Sequence, residues 1–175
     1  MRGSPLPKFQ HATRQWHRPL RKYLKAGVKV GLGVDGSASN DGSSLLLEAR
    51  QAMLLSRLEI AEQQRRGEEF NNLQLSAREA LEIATIGGAK VLGRDDIGSL
   101  EVGKRADFFA VNLNRLEFAG ALHDPVAAIV FCATTKVDLT VVNGRVVVKD
   151  GQIQTLETGS LIETHNRLAR GMVNG

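Results

Sequence analysis

The sequence predicts an α/β fold, namely the last part of an α/β barrel followed by a small β domain. Apolar residues alternate with lysine and glycine from Val28 to Val34 and stop at Asp35, as in a strand packed on both faces. Two helices are predicted next, from Leu45 to roughly Arg66 and from the capping box Ser76–Glu79 to Gly93. The period then changes to two, and Asn143-Gly144 is a strong hairpin signal. A strand and helices followed by antiparallel strands indicate this architecture.

These elements divide the chain into four predicted segments. Residues 1–19 contain three prolines, show no clear period and are predicted to be an irregular basic leader. Residues 20–96 hold a short helix ending at Gly27, the strand and the two longer helices. Residues 97–156 are predicted to form part of the small β domain, with strands at 106–113, 137–142 and 145–149. Residues 157–175 are predicted to be a C-terminal helix.

Composition places the chain among soluble globular domains, because 42% of its 175 residues are hydrophobic and 24% are charged. The single cysteine, Cys132, excludes an intrachain disulfide, is expected to be a small buried hydrophobe and fits a reducing cytoplasm. No apolar stretch approaches the roughly 18 residues of a membrane span. We therefore expect a cytoplasmic protein with no membrane partner.

The net charge of +4 comes from the leading segment rather than from the body of the protein. Eight basic residues precede Asp35, the first acidic one, which leaves fifteen Lys and Arg against nineteen Asp and Glu in the remainder. A basic arm that binds nucleic acid, with Trp16 beside His17 stacking on a base, is one explanation. A solvated arm or a non-native leader is the commoner one, so nucleic acid is not the expected partner.

Asp35 is the candidate functional residue, because α/β barrels place functional side chains at the carboxyl ends of their strands. The alternative is an Asp-Gly turn that only ends the strand. A hydrolytic zinc site needs about three protein ligands plus water, yet none of the four histidines (His11, His17, His123 and His165) has a neighbour at a metal-binding spacing. The chain therefore does not supply a complete metal site from recognisable motifs.

Four stretches resemble the amidohydrolase superfamily, in the branch of 8-oxoguanine deaminase, hydroxyatrazine ethylaminohydrolase and guanine deaminase-like enzymes. They are VGLGVDGSASND at residues 30–41, ATIGGAKVLG at 84–93, IGSLEVGKRAD at 97–107 and VVNGR at 141–145. The resemblance runs from about Pro19 to Leu156 in the family's order. It implies the last strand and helices of a TIM-like (β/α)8 barrel, followed by part of a small β-sandwich domain.

The resemblance also implies a chemistry, hydrolysis of a non-peptide carbon–nitrogen bond that deaminates an aromatic nitrogen heterocycle. Asp35 would bind the catalytic divalent metal, expected to be zinc, take a proton from the metal-bound water and deliver it to the leaving amine. Ser37 and Asn40 lie in the same loop and are candidates for bordering the substrate. The family's histidines on the first, fifth and sixth strands have no counterpart in this sequence, and a whole barrel takes about 250 residues.

We therefore expect an incomplete fragment that does not hold the metal and is inactive alone. The alternative is a non-catalytic association module that buries Leu45 to Leu58 against a partner, with a homo-oligomer among the arrangements it allows.

Overall fold

The computed structural model describes residues 20–36, 39–40, 42–67, 74–132 and 136–174. The predicted leader, 1–19, lies outside these residues. The described chain forms two compact units: one from residues within 1–104 and 113–135, the other from 105–112 together with residues within 136–175. The predicted start of the β domain, at residue 97, therefore differs from this division. Assignment of the units to a barrel and an appended β domain stays a prediction.

The first unit is helical. Its elements are α1 (Leu20–Lys25), α2 (Leu45–Arg65), α3 (Ala77–Glu82), a π-helical turn (Ile83–Gly87), α4 (Gly88–Leu92), a 3-10 turn (Leu116–Phe118) and α5 (Pro125–Cys132). The predicted long helix and its successor are confirmed, the successor being interrupted by the π turn. Neither α5 nor the 3-10 turn is predicted by the sequence pattern. Cys132, at the end of α5, is a half-buried free thiol.

Helices α2 and α3 begin at serine caps, which satisfy backbone N–H groups that have no partner within the helix. Ser44 caps α2, and its hydroxyl accepts from the Leu47 N–H. The predicted capping box of α3 is confirmed, because Ser76 and Glu79 each accept from the other's backbone N–H.

Arg21 of α1 ties that helix to the capping box of α3. Its guanidinium contacts Glu79 Oε1 at 2.8 Å and Oε2 at 3.1 Å, and it donates to the Gln74 carbonyl. Burial raises the pKa of Glu79, but hydrogen bonds from Ser76 and Arg21 together with the Arg21 charge outweigh it and leave that pKa below its ordinary range. The start of α3 is thus most stable with this carboxylate ionised.

The core of the first unit joins α2, α3, the π turn and α5 around the segment that precedes Asp35. It contains one buried cluster of apolar side chains: Val30, Ala49, Ala52, Met53, Leu75, Ala77, Ala80, Ile83 and Val130. Met53, Leu75 and Val130 are fully buried. Val30 belongs to this cluster, so the residues leading to Asp35 are fixed by packing.

The segment Val28–Val34 is not a strand in this structure, and that prediction is wrong. A parallel strand is defined by hydrogen bonds to neighbouring strands, and the sheet among the described residues does not include this segment. The segment nevertheless runs close to the backbone of the π turn and of α4. A Cβ on Gly31 would lie 2.9 Å from the Gly88 Cα, and one on Gly87 would lie 2.4 Å from the Val30 carbonyl oxygen.

The second unit holds a four-stranded antiparallel sheet in the order β1 (Phe108–Ala110), β2 (Leu139–Val142), β3 (Arg145–Lys149) and β4 (Gln152–Ile153). The predicted hairpin is confirmed, with Val142 paired to Arg145 across Asn143-Gly144, and both turn residues have positive φ, 50° and 78°. The first strand is shorter than predicted. That this sheet belongs to a β-sandwich stays a prediction.

The final helix, α6 (Thr158–Asn174), confirms the predicted C-terminal helix and begins one residue after the predicted start. Large apolar residues recur along it at helical spacing and are exposed: Leu161, Ile162, Leu168, Met172 and Val173. Among the helices of the described chain, none combines the length and the apolar character needed to cross a bilayer.

Candidate functional site

Asp35 ends a segment that is buried at Val30 and Gly31 and half-buried from Leu32 to Val34, and Asp35 itself is exposed. Its backbone has φ 61°, the left-handed region. Aspartate tolerates this conformation better than most residues, but it still costs on the order of 1–2 kcal/mol. Such conformations persist only where surrounding contacts impose them, and they are concentrated at functional sites. The position predicted from the sequence is thus a constrained one with an accessible carboxylate.

Backbone hydrogen bonds join Gly36 to Ser39 and Asn40. The backbone N–H groups of Ser39 and Asn40 both donate to the Gly36 carbonyl at 3.0 Å. The Ser39 hydroxyl donates to Asp35 Oδ2 at 2.8 Å, so the carboxylate has a hydroxyl partner within its own loop. Ser37, the other predicted substrate-loop residue, lies outside the described residues.

Asn40 is in the predicted loop, but its side chain is buried, with 2% exposure. Its Nδ2 donates to the Val34 carbonyl at 2.6 Å and to Glu48 Oε1 at 2.9 Å, and its Oδ1 accepts from the Gly42 N–H at 3.0 Å. These contacts are those of an anchor for the loop. Whether Asn40 also borders a substrate stays a prediction.

Glu48 was not predicted from the sequence, although it is the buried partner of this loop. It lies in the first turn of α2 and is 1% exposed. A buried carboxylate is costly unless it is hydrogen-bonded. The signal for it is its setting, because Glu48 interrupts the apolar run of Leu45, Leu46, Leu47 and Ala49.

The metal chemistry of the site depends on more than Asp35. A carboxylate oxygen is a suitable zinc ligand, and the exposure of Asp35 is compatible with that role. Across the described residues, however, no three His, Cys, Asp or Glu side chains lie close enough to hold a metal together. His123 and His165 are exposed, and His11 and His17 lie outside the described residues. The described groups thus provide one ligand of a kind zinc accepts, and they do not make a metal site by themselves.

Comparison with known proteins shows the family of the chain. The amidohydrolase family profile matches residues 8–147, which is most of the chain. The protein belongs to the amidohydrolase family. The match begins ahead of Pro19, so the family resemblance extends into the segment predicted as a leader.

Two curated relatives are similar to most of this chain. The chain is 43% identical over 157 residues to 8-oxoguanine deaminase from Pseudomonas aeruginosa, which covers 90% of this chain and 32% of that protein. It is 42% identical over 153 residues to hydroxydechloroatrazine ethylaminohydrolase from Pseudomonas sp. strain ADP, covering 86% and 30% respectively. The chain thus spans about a third of the length of the curated relatives it matches.

Solved structures give the same fold. Atrazine chlorohydrolase from Arthrobacter aurescens, complexed with zinc, superposes with a TM-score of 0.82 at 34% identity, covering 94% of this chain and 35% of that one. An adenosine deaminase from Xanthomonas campestris with bound zinc gives 0.81 at 26% identity, covering 97% and 37%. The chain therefore matches part of the fold of TIM-barrel-type amidohydrolases, and these relatives are hydrolases and deaminases.

Proposed function

We propose that this chain is the C-terminal part of a metal-dependent amidohydrolase that removes an amino or alkylamino group from an aromatic nitrogen heterocycle. The substrate would be of the 8-oxoguanine or hydroxyatrazine type, in accord with the relatives at 43% and 42% identity. The observation that carries the proposal is the exposed Asp35 carboxylate, held in a left-handed backbone conformation after a buried segment.

In this proposal Asp35 is both a metal ligand and the proton carrier of the reaction. The bound metal, zinc by analogy with the neighbours that contain it, would activate the hydrolytic water. Asp35 would accept a proton from that water as the water oxygen bonds to the ring carbon and the ring C=N π electrons move to the ring nitrogen. It would return the proton to the departing nitrogen as the ring C=N bond forms again and the exocyclic carbon–nitrogen bond breaks. Ser39 keeps the carboxylate in one orientation through its bond to Oδ2.

The remaining ligands would come from polypeptide beyond this chain, so we propose that the chain is inactive alone. The support is its length, about a third of the relatives', against the roughly 250 residues of a complete barrel. In this proposal residues 20–96 form the end of the barrel, and residues 97–156 form part of a β-sandwich domain. The complete enzyme is proposed to act in the cytoplasm.

The test uses a chimera in which this chain replaces the matching third of 8-oxoguanine deaminase from Pseudomonas aeruginosa. Ammonia release from 8-oxoguanine and alkylamine release from hydroxyatrazine are measured together with zinc content. We expect Asp35→Asn to lower kcat on the order of a thousandfold. Asp95→Asn, which changes another exposed aspartate of the same unit, is the matched control and should have no effect.

Two results would contradict this proposal. Full activity of the Asp35→Asn chimera would remove Asp35 from the chemistry. Stoichiometric zinc in the 175-residue chain alone, with Asp35-dependent turnover, would refute the inference that the chain is inactive by itself.

An association role is the second candidate, and the exposed apolar residues of α2 favour it. Leu45, Leu54 and Leu58 are 38%, 37% and 46% exposed on the predicted contact segment. If this surface joins copies of the chain, sedimentation should show a homo-oligomer that the double substitution of Leu54 and Leu58 by serine dissociates. A monomer at the highest soluble concentration would exclude self-association.

A further inference from the structure

The buried pair Asn40 and Glu48 joins the candidate catalytic loop to helix α2. Asn40 is 2% exposed and Glu48 is 1% exposed. The Asn40 side-chain amide makes two hydrogen bonds within the loop: its Nδ2 donates to the Val34 carbonyl, and its Oδ1 accepts from the Gly42 N–H. Its Nδ2 also donates to Glu48 Oε1 at 2.9 Å. Glu48 of α2 thereby orients the Asn40 amide, and that amide is hydrogen-bonded to the loop backbone.

The position of the Val34 contact gives this pair a specific consequence. The Val34 carbonyl belongs to the peptide group that joins Val34 to Asp35, and Asn40 Nδ2 lies 2.6 Å from its oxygen. That bond fixes the plane from which the Asp35 backbone starts. The N–H groups of Ser39 and Asn40 fix the Gly36 carbonyl on the other side. Asp35, with φ 61°, thus directly follows one hydrogen-bonded peptide group, and Gly36 separates it from the second.

A buried charge at this place is not needed to start the helix. Ser44 caps α2 through the Leu47 N–H, and an exposed acidic side chain in the first turn would interact with the helix dipole without the cost of burial. Glu48 instead directs its carboxylate to the loop amide. Its burial is explained by the orientation of Asn40 rather than by helix formation.

We propose that Glu48 and Asn40 are positioning residues that set the direction of the Asp35 carboxylate; the catalytic part of this inference rests on the proposed function of Asp35. Glu48 orients Asn40, and Asn40 orients the peptide group that precedes Asp35. Loss of either side chain should move the carboxylate while the helical core stays folded.

The first test measures the loop in the 175-residue chain without reference to activity. Amide hydrogen exchange and backbone chemical shifts are recorded for the wild type, Glu48→Ala, Asn40→Ala and Ser56→Ala. Ser56 is the matched control, because it is a buried polar residue of the same helix, 5% exposed, whose hydroxyl accepts from the Leu75 N–H instead of contacting the loop.

We expect both loop-anchor variants to accelerate exchange of the Gly42 amide by about tenfold or more and to shift the Asp35 resonances away from left-handed values. Ser56→Ala should destabilise the unit without either change. Unaltered Gly42 exchange and Asp35 shifts in Glu48→Ala would overturn the proposal.

The second test uses the chimera with 8-oxoguanine deaminase and separates positioning from stability. Glu48→Ala is expected to lower kcat by about ten- to a hundredfold, with KM within about twofold of wild type. Glu48→Gln, which keeps an oxygen acceptor for Asn40, should restore most of that loss. Ser56→Ala at matched stability should retain kcat.

The two tests also separate this inference from the proposed function. If Asp35→Asn leaves the chimera active while Glu48→Ala still releases the loop, the proposed function fails and the anchor remains. If Asp35→Asn abolishes turnover but Glu48→Ala keeps the wild-type kcat, the positioning role is wrong and the proposed function stands.

Discussion

The contact between Gly31 and the glycine pair Gly87-Gly88 yields the sharpest stability prediction. A Cβ on Gly31 would meet the Gly88 Cα at 2.9 Å and the Gly88 nitrogen at 3.2 Å. Carbon atoms attract best at about 3.5–4.0 Å, so one backbone has to retreat by roughly half an ångström. Because both partners are main chain in a packed region, Gly31→Ala should cost about 1–3 kcal/mol of unfolding free energy.

The neighbouring glycines provide two controls: alanine should destabilise the protein more at Gly87 than at Gly31, and it should stabilise the protein at Gly88. At Gly87 a Cβ would lie 2.4 Å from the Val30 carbonyl oxygen, so Gly87→Ala should cost about 3 kcal/mol, the upper end of the overpacking range. At Gly88 a Cβ meets nothing within 4 Å, and φ is −58° in a helix. Gly88→Ala should therefore stabilise the protein by about 0.5–1 kcal/mol, since glycine disfavours helix interiors.

The measurement is urea unfolding of the three variants and the wild type, followed by circular dichroism at 222 nm, with a thermal scan alongside. For a chain of this size each kcal/mol corresponds to about 2–4 °C in Tm. Gly31→Ala is thus expected to melt several degrees below wild type and Gly88→Ala slightly above it. Equal midpoints for Gly31→Ala and wild type would refute the close backbone contact, and a destabilised Gly88→Ala would refute the open space beside Gly88.

Three further predictions concern the capping box, the core and the hairpin. The Glu79 pKa is lowered in the folded state. Ionised Glu79 therefore stabilises the fold at pH values above its unfolded pKa of about 4.3, and this contribution is lost as the pH falls through the folded pKa. The urea midpoints of wild type and Glu79→Gln should therefore converge in acid. Met53→Ala should cost about 2–5 kcal/mol in urea unfolding, because Met53 is fully buried, whereas Leu58→Ala, at a 46% exposed position, should stay within about 0.5 kcal/mol. Gly144→Ala places a Cβ at φ 78° and should cost about 1 kcal/mol, measured as loss of the hairpin's amide protection.

Local chemistry explains which elements the sequence predicts correctly. The serine of the α3 capping box and the Asn143-Gly144 turn act within a few residues, so their geometry follows from residue type alone. The strand prediction for Val28–Val34 is wrong because a strand depends on hydrogen bonds to a neighbouring strand, which local residue pattern does not determine. Helix α5 was missed because Pro125–Cys132 is a short, wholly apolar run, in which periodicity does not separate a buried helix from a buried strand.

The candidate site divides in the same way. Asp35 is visible in the sequence because a charge ends an apolar alternation and a glycine follows. Glu48 gives a weaker signal: it interrupts an apolar run, but an acidic residue in the first turn of a helix is ordinary. Its burial against Asn40 follows only from the fold. Burial depends on residues distant in sequence, so a positioning group is harder to predict than a group that is itself exposed.

Asp35 is constrained from two directions, and the constraints should be separable by experiment. Gly31, four residues earlier, fixes the approach through its backbone contact with Gly88, while Asn40 and Glu48 fix the turn that follows. Gly31→Ala should therefore reduce both stability and turnover of the chimera, because it shifts the segment as a whole. Glu48→Ala should affect turnover more than Ser56→Ala does at equal stability. If turnover instead tracked unfolding free energy across all these variants, the loop would be held by the overall stability of the unit, and the separate anchor at Glu48 would be unnecessary.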